Sequence, residues 1–228
     1  RSIFKQMQQD GMPYVTLSLK HLDPQMILKR FPGIHSKCKE FGYDLTQEIP
    51  VAPAAHYSVG GVMSNKDGRT DVERLYVCGE VAATGIMGAN RLASNSLTEA
   101  IVYADRAAKH AVAHLGKVEF QEGIPDWDFE GTAEAEEMVL VLQNRRELQA
   151  IMSNYVGIVR SNLRLERAMK RLAIIWQETE GLYNRTKPCR ELCELRNMTA
   201  VAYLTIKQAK ECKESVGLHY TIDYPPVK

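Results

Sequence analysis

The feature that most constrains the fold is a C-terminal half in which apolar residues recur at helical spacing in three separate segments. Spacings of three, four and seven place such residues on one face of a helix. The three stripes are Val141, Leu148, Met152, Tyr155 and Val159; Leu165, Ala168, Leu172 and Ile175; and Leu192, Leu195, Ala202, Ile206 and Ala209. Because short polar breaks separate them, the stripes can be buried against one another, which predicts a three-helix bundle.

The part of the chain before these stripes mixes helical and extended patterns. Residues 14–19 alternate apolar and polar side chains, as a half-buried strand does. Further on, Asp67-Gly68 is a hairpin signal between Val62-Met63 and an apolar run at 75–78, which predicts a second strand pair. The sequence as a whole therefore predicts an α+β chain.

A glycine-rich loop follows the apolar run at 75–78 and leads into a helix. Its sequence GEVAATGIMG matches neither G-x-G-x-x-G nor the Walker pattern, so turns alone remain one interpretation. The tetrapeptide at 96–99, Ser-Leu-Thr-Glu, has the form of a capping box and predicts a helix that begins at Ser96. The continuous apolar face expected for this helix comprises Leu97, Ile101, Ala104, Ala108, Val112 and Leu115. Its N-terminus predicts a site for an anion or a dipole.

Two side chains near this loop are candidate ligands for a substrate. Arg91 has no acidic neighbour in sequence, and its planar donor fork suits a carboxylate. His56 lies between Pro53 and the Gly60-Gly61 pair, where a structural role is the common alternative.

Composition excludes several classes of protein. The 29 basic and 28 acidic residues give a net charge of +1, so no nucleic-acid or anionic-membrane partner is expected. No apolar run approaches the roughly 18 to 20 residues of a bilayer span. Five irregularly spaced cysteines indicate reduced thiols in a cytoplasmic protein, and their spacing predicts no metal site.

Residues 56–108 resemble the C-terminal part of the flavin-binding domain in the fumarate reductase, succinate dehydrogenase and L-aspartate oxidase flavoprotein family. The segments GANRLASNSL, ELRNM and GLHYTIDYP are similar to those of the L-aspartate oxidase branch. The resemblance implies that residues 1–50 end a substrate-capping domain and that residues 51–116 are the C-terminal part of an FAD-binding α/β domain. It implies that residues 117–228 form a three-helix domain and tail. Independently of the resemblance, Pro125 and the acidic residues around Trp127 indicate a linker at 116–131.

The same resemblance implies a cofactor, a reaction and roles for five residues. Glu80 would bind ribityl or ribose hydroxyls of FAD, and Ser96 and Leu97 would offer backbone N–H groups to the flavin pyrimidine edge. His56 and Arg91 would hold a carboxylate of L-aspartate while hydride passes to the flavin and yields iminoaspartate, a step of NAD biosynthesis through quinolinate. The family's dinucleotide-binding glycines and a catalytic arginine belong to an N-terminal half, so the isolated chain is expected to be inactive.

Two other functions remain open at the level of the sequence. The first is a soluble fumarate reductase or succinate-oxidising flavoprotein. The second is a helical interaction module without activity of its own, because residues 145–196 carry eleven Lys or Arg against six Glu and could dock a partner such as quinolinate synthase. A solvated helix surface is the simpler interpretation of that charge excess, and flavin content would separate the enzymes from the module.

Overall fold

The structure, a computed structural model, describes residues 1–128, 130, 132–133 and 138–226. The chain divides into two compact units, Arg1–His56 and Tyr57–Lys228. The described residues contain seven α-helices and two small sheets, which confirms the mixed helical and sheet character. Phe129 and Gly131, at the end of the predicted linker, lie outside the described residues.

The first unit places an antiparallel strand pair among three helices. Its elements are α1 (Ser2–Asp10), β1 (Val15–Ser18), α2 (Pro24–Arg30), α3 (Pro32–Glu40) and β2 (Glu48–Val51). Helix α1 ends at Gly11, whose φ of 66° is the left-handed conformation that glycine adopts without strain. Helix α2 begins where the Asp23 carboxylate accepts the Gln25 N–H at 3.0 Å. The buried residues of this unit are Ile27 and Leu45.

The second unit opens with short extended segments instead of the predicted strand pair. Strand β3 (Val62–Met63) pairs in parallel with β4 (Ala82–Ala83). The turn at Asp67-Gly68 is confirmed, but the predicted strand at 75–78 is wrong, because only Tyr76 forms an isolated bridge. Leu75 is 50% exposed. An apolar run becomes a strand only where neighbouring backbone completes a ladder, and the described residues supply a single bridge there.

Helix α4 (Asn95–Leu115) forms where it was predicted, but the capping box is wrong and the apolar face is exposed instead of buried. Asn95 is the first helical residue, Ser94 is the N-cap with a φ of 70°, and Ser96 lies inside the first turn. The Ser96 and Glu99 side chains bond to the loop before the helix instead of to the helix backbone. The buried face carries Glu99, Tyr103 and Ala107. All six residues of the predicted apolar face are exposed.

Three long helices account for most of the core. They are α5 (Met138–Tyr155), α6 (Asn162–Arg185) and α7 (Arg190–Glu211), and each packs against the other two. Their shared core contains the predicted stripe residues Val141, Leu148, Leu165, Ala168, Leu172, Ile175, Leu192, Leu195, Ala202, Ile206 and Ala209. Ser161 caps α6 by accepting the Arg164 N–H at 3.1 Å. No described helix is both long enough and apolar enough to cross a membrane.

The residues after α7 form a folded segment, here called the C-terminal tail (residues 212–224). The tail is tied to the connection between α5 and α6, because the Arg160 N–H donates to the Tyr220 carbonyl at 3.0 Å and the Ile222 N–H donates to the Arg160 carbonyl at 3.0 Å. The Arg160 guanidinium lies 2.7 Å, through Nη1, from Nδ1 of His219. Since an arginine can only donate, the imidazole accepts through Nδ1 and is neutral in this contact.

We expect the free energy of unfolding to decrease at acidic pH because His219 becomes protonated more readily in the unfolded chain. Burial lowers the pKa of His219 from its usual 6.5, and the neighbouring Arg160 lowers that pKa further. The unfolded chain therefore binds more protons, so the free energy of unfolding should decline as pH falls below about 6.5 and stop declining below the folded-state pKa. Urea denaturation between pH 8 and pH 5 measures the effect.

The matched variant for this test is His219→Asn, whose side-chain carbonyl can accept from Arg160 without titrating. Its pH slope should be smaller than that of the unsubstituted protein. Burial also lowers the pKa of His110, which titrates alike in both proteins and cancels in the comparison. Equal slopes in the two proteins would contradict the prediction.

Candidate functional site

The candidate site is built around the glycine-rich loop and the first turn of α4, and its first element is Glu80. Glu80 lies in a 3₁₀ turn at Gly79–Val81, directly before β4. Its carboxylate is exposed and accepts the Ser58 N–H through Oε1 at 2.8 Å. An ionised carboxylate accepts about four hydrogen bonds, so Glu80 keeps capacity for hydroxyl donors of a ligand.

Backbone packing holds the 3₁₀ turn in place. Gly61 has a φ of 133°, and a Cβ built at this position would meet the Val81 carbonyl oxygen at 2.1 Å. Real Cβ atoms do not approach an oxygen so closely, so only glycine fits. Gly61 is therefore required for a structural reason, because the backbone just before β3 closely approaches the backbone of Val81, next to Glu80.

The second half of the loop is a series of tight turns that leads up to Arg91. The Gly88 N–H donates to the Gly85 carbonyl at 3.2 Å and the Asn90 N–H donates to the Met87 carbonyl at 3.2 Å. These local turns end directly before Arg91. Only three residues separate Arg91 from Asn95, the first residue of α4, so Arg91 lies just before the N-terminus of this helix.

The Arg91 side chain is oriented by two neighbours. Its Nη1 donates to the Ser96 Oγ at 2.8 Å, and its guanidinium carbon lies 4.6 Å from the centre of the Tyr57 ring. Burial, with Glu99 and Glu80 nearby, raises the pKa of Tyr57, so the phenol stays neutral. Arg91 is half-buried, and no described carboxylate lies within ion-pair distance of it. The site therefore contains an oriented arginine side chain that can bind an anionic ligand.

The first turn of α4 adds backbone donors beside this cation. Ser96 and Leu97 are the second and third helical residues, whose N–H groups have no acceptor within a helix. In the described part of the chain, no backbone hydrogen bond satisfies either group. The helix dipole adds roughly half a positive charge at this end. The arrangement suits an electron-rich ring edge or a carboxylate.

Sequence reasoning missed Glu99 and Thr84. Glu99 is 6% exposed, and its carboxylate accepts a hydrogen bond from the Thr84 hydroxyl within the loop. This contact joins the loop to α4. The sequence did contain a signal for the burial of Glu99. A spacing of four places Glu99, Tyr103 and Ala107 on one face of the helix.

The remaining predicted residue, His56, is exposed and is the last residue of the first unit. Its role as a carboxylate ligand stays a prediction. The second unit brings Arg91 and Ser96 into direct contact, with Leu97 next in the same helical turn. Across the described residues, no group of three or more His, Cys, Asp or Glu is placed to hold a metal ion.

Two families have models that match the chain. Residues 1–97 match the FAD binding domain family. Residues 145–227 match the family described as fumarate reductase flavoprotein C-term. Glu80, Arg91, Ser96 and Leu97 all fall within the first match, which ends at Leu97.

Curated relatives match over the whole chain. An L-aspartate oxidase of Vibrio cholerae is 44% identical over 226 residues, which are 99% of this chain and 42% of that protein. A chloroplastic L-aspartate oxidase of Nicotiana tabacum is 43% identical, and the match covers 100% of this chain and 37% of that protein. The chain therefore spans about two fifths of the length of these relatives.

Solved structures share the fold. E. coli quinol fumarate reductase superposes with a TM-score of 0.78 at 24% identity, over 99% of this chain and 43% of that chain. Mycobacterium smegmatis Sdh1 superposes with a TM-score of 0.78 at 25% identity, over 94% of this chain and 38% of that chain.

Proposed function

The chain is related over its whole length to the C-terminal portion of L-aspartate oxidases, and we propose that it works as that portion of an FAD-dependent L-aspartate oxidase. The reaction would oxidise L-aspartate to iminoaspartate in the route through quinolinate to NAD. The observation that carries the proposal is Arg91, a half-buried cation without a described carboxylate partner, held by Ser96 and Tyr57 beside the free N–H groups of α4. A dicarboxylate substrate supplies the missing anion.

The residues of the loop suit FAD. Glu80 offers acceptor capacity for sugar or ribityl hydroxyls, and the N–H groups of Ser96 and Leu97 offer donors for the pyrimidine edge of the flavin. When bound, the flavin supplies the hydride acceptor. Negative charge gathers at the pyrimidine edge on reduction, so donors at a helix N-terminus stabilise the reduced state.

Arg91 and His56 act on the substrate in this proposal. The guanidinium of Arg91 binds one carboxylate of L-aspartate with two parallel N–H donors, and this fixes the orientation of the substrate. His56 contributes a second donor to a carboxylate. Orientation by such a clamp lowers the entropy cost of reaching the transition state.

The domain organisation follows the same proposal. Residues 1–50 would end a substrate-capping domain, residues 51–116 would belong to an FAD-binding domain, and residues 117–228 would form a three-helix domain and tail. The exposed apolar face of α4 supports a further packing partner, because Leu97, Ile101 and Val112 are each more than two-thirds exposed. The proposed partner of that face is the portion of the protein that precedes this chain.

This organisation also explains why the isolated chain is proposed to be inactive. Part of the FAD site would lie in the preceding portion. We place the complete enzyme in the cytoplasm, although plant relatives carry the description chloroplastic. The basic residues that suggested docking of quinolinate synthase are in part ion-paired on the helix surface, as in Arg196–Glu180 at 2.7 Å, so we leave that partner outside the proposal.

The test uses the full-length protein that contains this chain. It is expected to purify with FAD and to oxidise L-aspartate faster than succinate, with ammonia and oxaloacetate appearing as iminoaspartate hydrolyses. Initial rates with oxygen or fumarate as electron acceptor identify the acceptor. Faster oxidation of succinate would favour the respiratory type of flavoprotein, and a protein without flavin would contradict both enzymatic functions.

A further inference from the structure

The C-terminal tail reaches the glycine-rich loop and packs against it. The Leu218 N–H donates to the Ala89 carbonyl at 3.1 Å. Gly217, with a φ of 54°, lies so close that an added Cβ would meet the Ala89 oxygen at 2.1 Å and the Ala89 Cβ at 2.5 Å. Ala89 precedes Arg91 by only two residues, so the tail contacts the backbone that presents the guanidinium.

Hydrogen bonds link the tail internally and to the start of α6. Within the tail, the Ser215 hydroxyl accepts the Thr221 N–H at 3.0 Å and donates to the Tyr224 carbonyl at 2.7 Å. Thr221 is 2% exposed. Beyond it, the Asp223 carboxylate accepts the Asn162 N–H, at the start of α6, at 2.6 Å. These bonds connect Ala89, through the tail, to the start of α6.

The loop has few other restraints near Ala89. Its internal hydrogen bonds join residues two or three apart, such as the Ile86 N–H donating to the Thr84 hydroxyl at 3.3 Å, and Gly85 and Gly88 are exposed. Within the loop, the Thr84 hydroxyl donates a hydrogen bond to the Glu99 carboxylate on α4. The bond from Leu218 restrains the chain at Ala89, directly after the glycine-rich loop, and it comes from a residue more than a hundred positions away in the chain.

We propose that Gly217 and Leu218 are positioning residues for Arg91, so that the C-terminal tail sets how well the site binds a substrate carboxylate. This inference rests on the proposed function of Arg91. A carboxylate clamp depends on alignment of both N–H donors, and a misplacement of about 1 Å can cost on the order of 100-fold in rate. Neither tail residue touches the substrate in this role.

The test is Gly217→Ala in the full-length protein. The added methyl group cannot fit against Ala89 and must displace the loop or the tail. We expect kcat/KM for L-aspartate to fall about 10-fold to 100-fold, mainly through KM, with FAD content unchanged because the proposed flavin contacts lie elsewhere. The matched control is Gly123→Ala. Gly123 has a φ of 69° but nothing within 4 Å of an added Cβ, so it carries the same backbone strain without the clash.

A second pair of variants changes the next residue, His219, whose ring contacts Arg160 in the connection between α5 and α6. His219→Ala removes the acceptor for Arg160 and should lower kcat/KM in the same direction, whereas His219→Asn keeps an acceptor and should restore much of it. Hydrogen–deuterium exchange of the peptide at 85–91 supplies a readout that does not depend on activity. Exchange should be faster in Gly217→Ala and His219→Ala than in the unsubstituted protein, and near normal in His219→Asn and Gly123→Ala.

The outcomes separate this inference from the proposed function. If the unsubstituted protein does not oxidise L-aspartate, the proposed function is wrong, and exchange at 85–91 still shows whether the tail restrains the loop. If the protein is active and Gly217→Ala keeps its kcat/KM, the positioning role is wrong. Activity lost only in proportion to lost FAD also overturns it. Should Gly217→Ala fail to fold, the two His219 variants decide between the same outcomes.

Discussion

Replacing Arg91 by alanine in the full-length protein is expected to lower kcat/KM for L-aspartate about 30-fold to several thousand-fold. The guanidinium is half-buried, and its proposed partner is a carboxylate in a closed site. Removing one partner of such a desolvated pair costs about 2 to 5 kcal/mol, and each 1.36 kcal/mol is about tenfold in rate. FAD content should stay near normal because Glu80, Ser96 and Leu97 carry the proposed flavin contacts.

Two further variants sharpen this test. Arg91→Lys should recover only part of the loss, because a point charge does not reproduce the two-pronged donor. The matched control is Arg106→Ala on α4, where Arg106 forms a partly exposed ion pair with Asp67 at 3.6 Å. Its effect on turnover should be small. Steady-state oxidation of L-aspartate is measured beside the flavin absorbance of each variant. Near-normal turnover of Arg91→Ala with bound FAD would show that Arg91 is structural.

The second large effect is expected in the helical core, where Leu195→Ala should lower the free energy of unfolding by about 2 to 5 kcal/mol. Leu195 is 0% exposed and lies on α7 within the core shared by α5, α6 and α7. Truncation to alanine removes buried methyl groups and leaves a cavity that close-packed neighbours fill only in part.

The control for this prediction is Leu204→Ala on the same helix. Leu204 is 53% exposed, so its truncation removes little buried surface and should change stability by less than about 1 kcal/mol. Urea denaturation followed by helical circular dichroism compares the two variants. A loss of stability as large for Leu204→Ala as for Leu195→Ala would mean that α7 packs through another face.

The helical core was predictable because it depends on a short-range pattern. Eleven of the stripe residues named from spacing alone lie in the core of α5, α6 and α7. Val159 is the exception outside the helices, since α5 ends at Tyr155. Periodicity reports which side chains share a face, and three such faces in one short segment leave few ways to bury them.

The same reasoning did not identify the buried face of α4, because the face packed within the described residues is not the apolar one. Glu99 and Tyr103 are buried, whereas Leu97 and Ile101 are exposed. A buried carboxylate is tolerated here because the Thr84 hydroxyl satisfies it. Local sequence assigned Ser96 and Glu99 to a capping box, but their side chains bond to Arg91 and Thr84 before the helix, which sequence spacing does not reveal.

The sequence by itself determined the helices of the C-terminal half, the position of the loop before α4 and the residue types that suit a flavin and a carboxylate. These depend on neighbours within a few residues, where pattern and motif carry the information. Only the tertiary structure decided that Arg91 is held by Ser96 and Tyr57, that Glu99 secures the loop, and that Gly217 packs against Ala89. The last contact joins residues far apart in the chain, and such contacts form only when the packing of the whole unit brings the two backbones together.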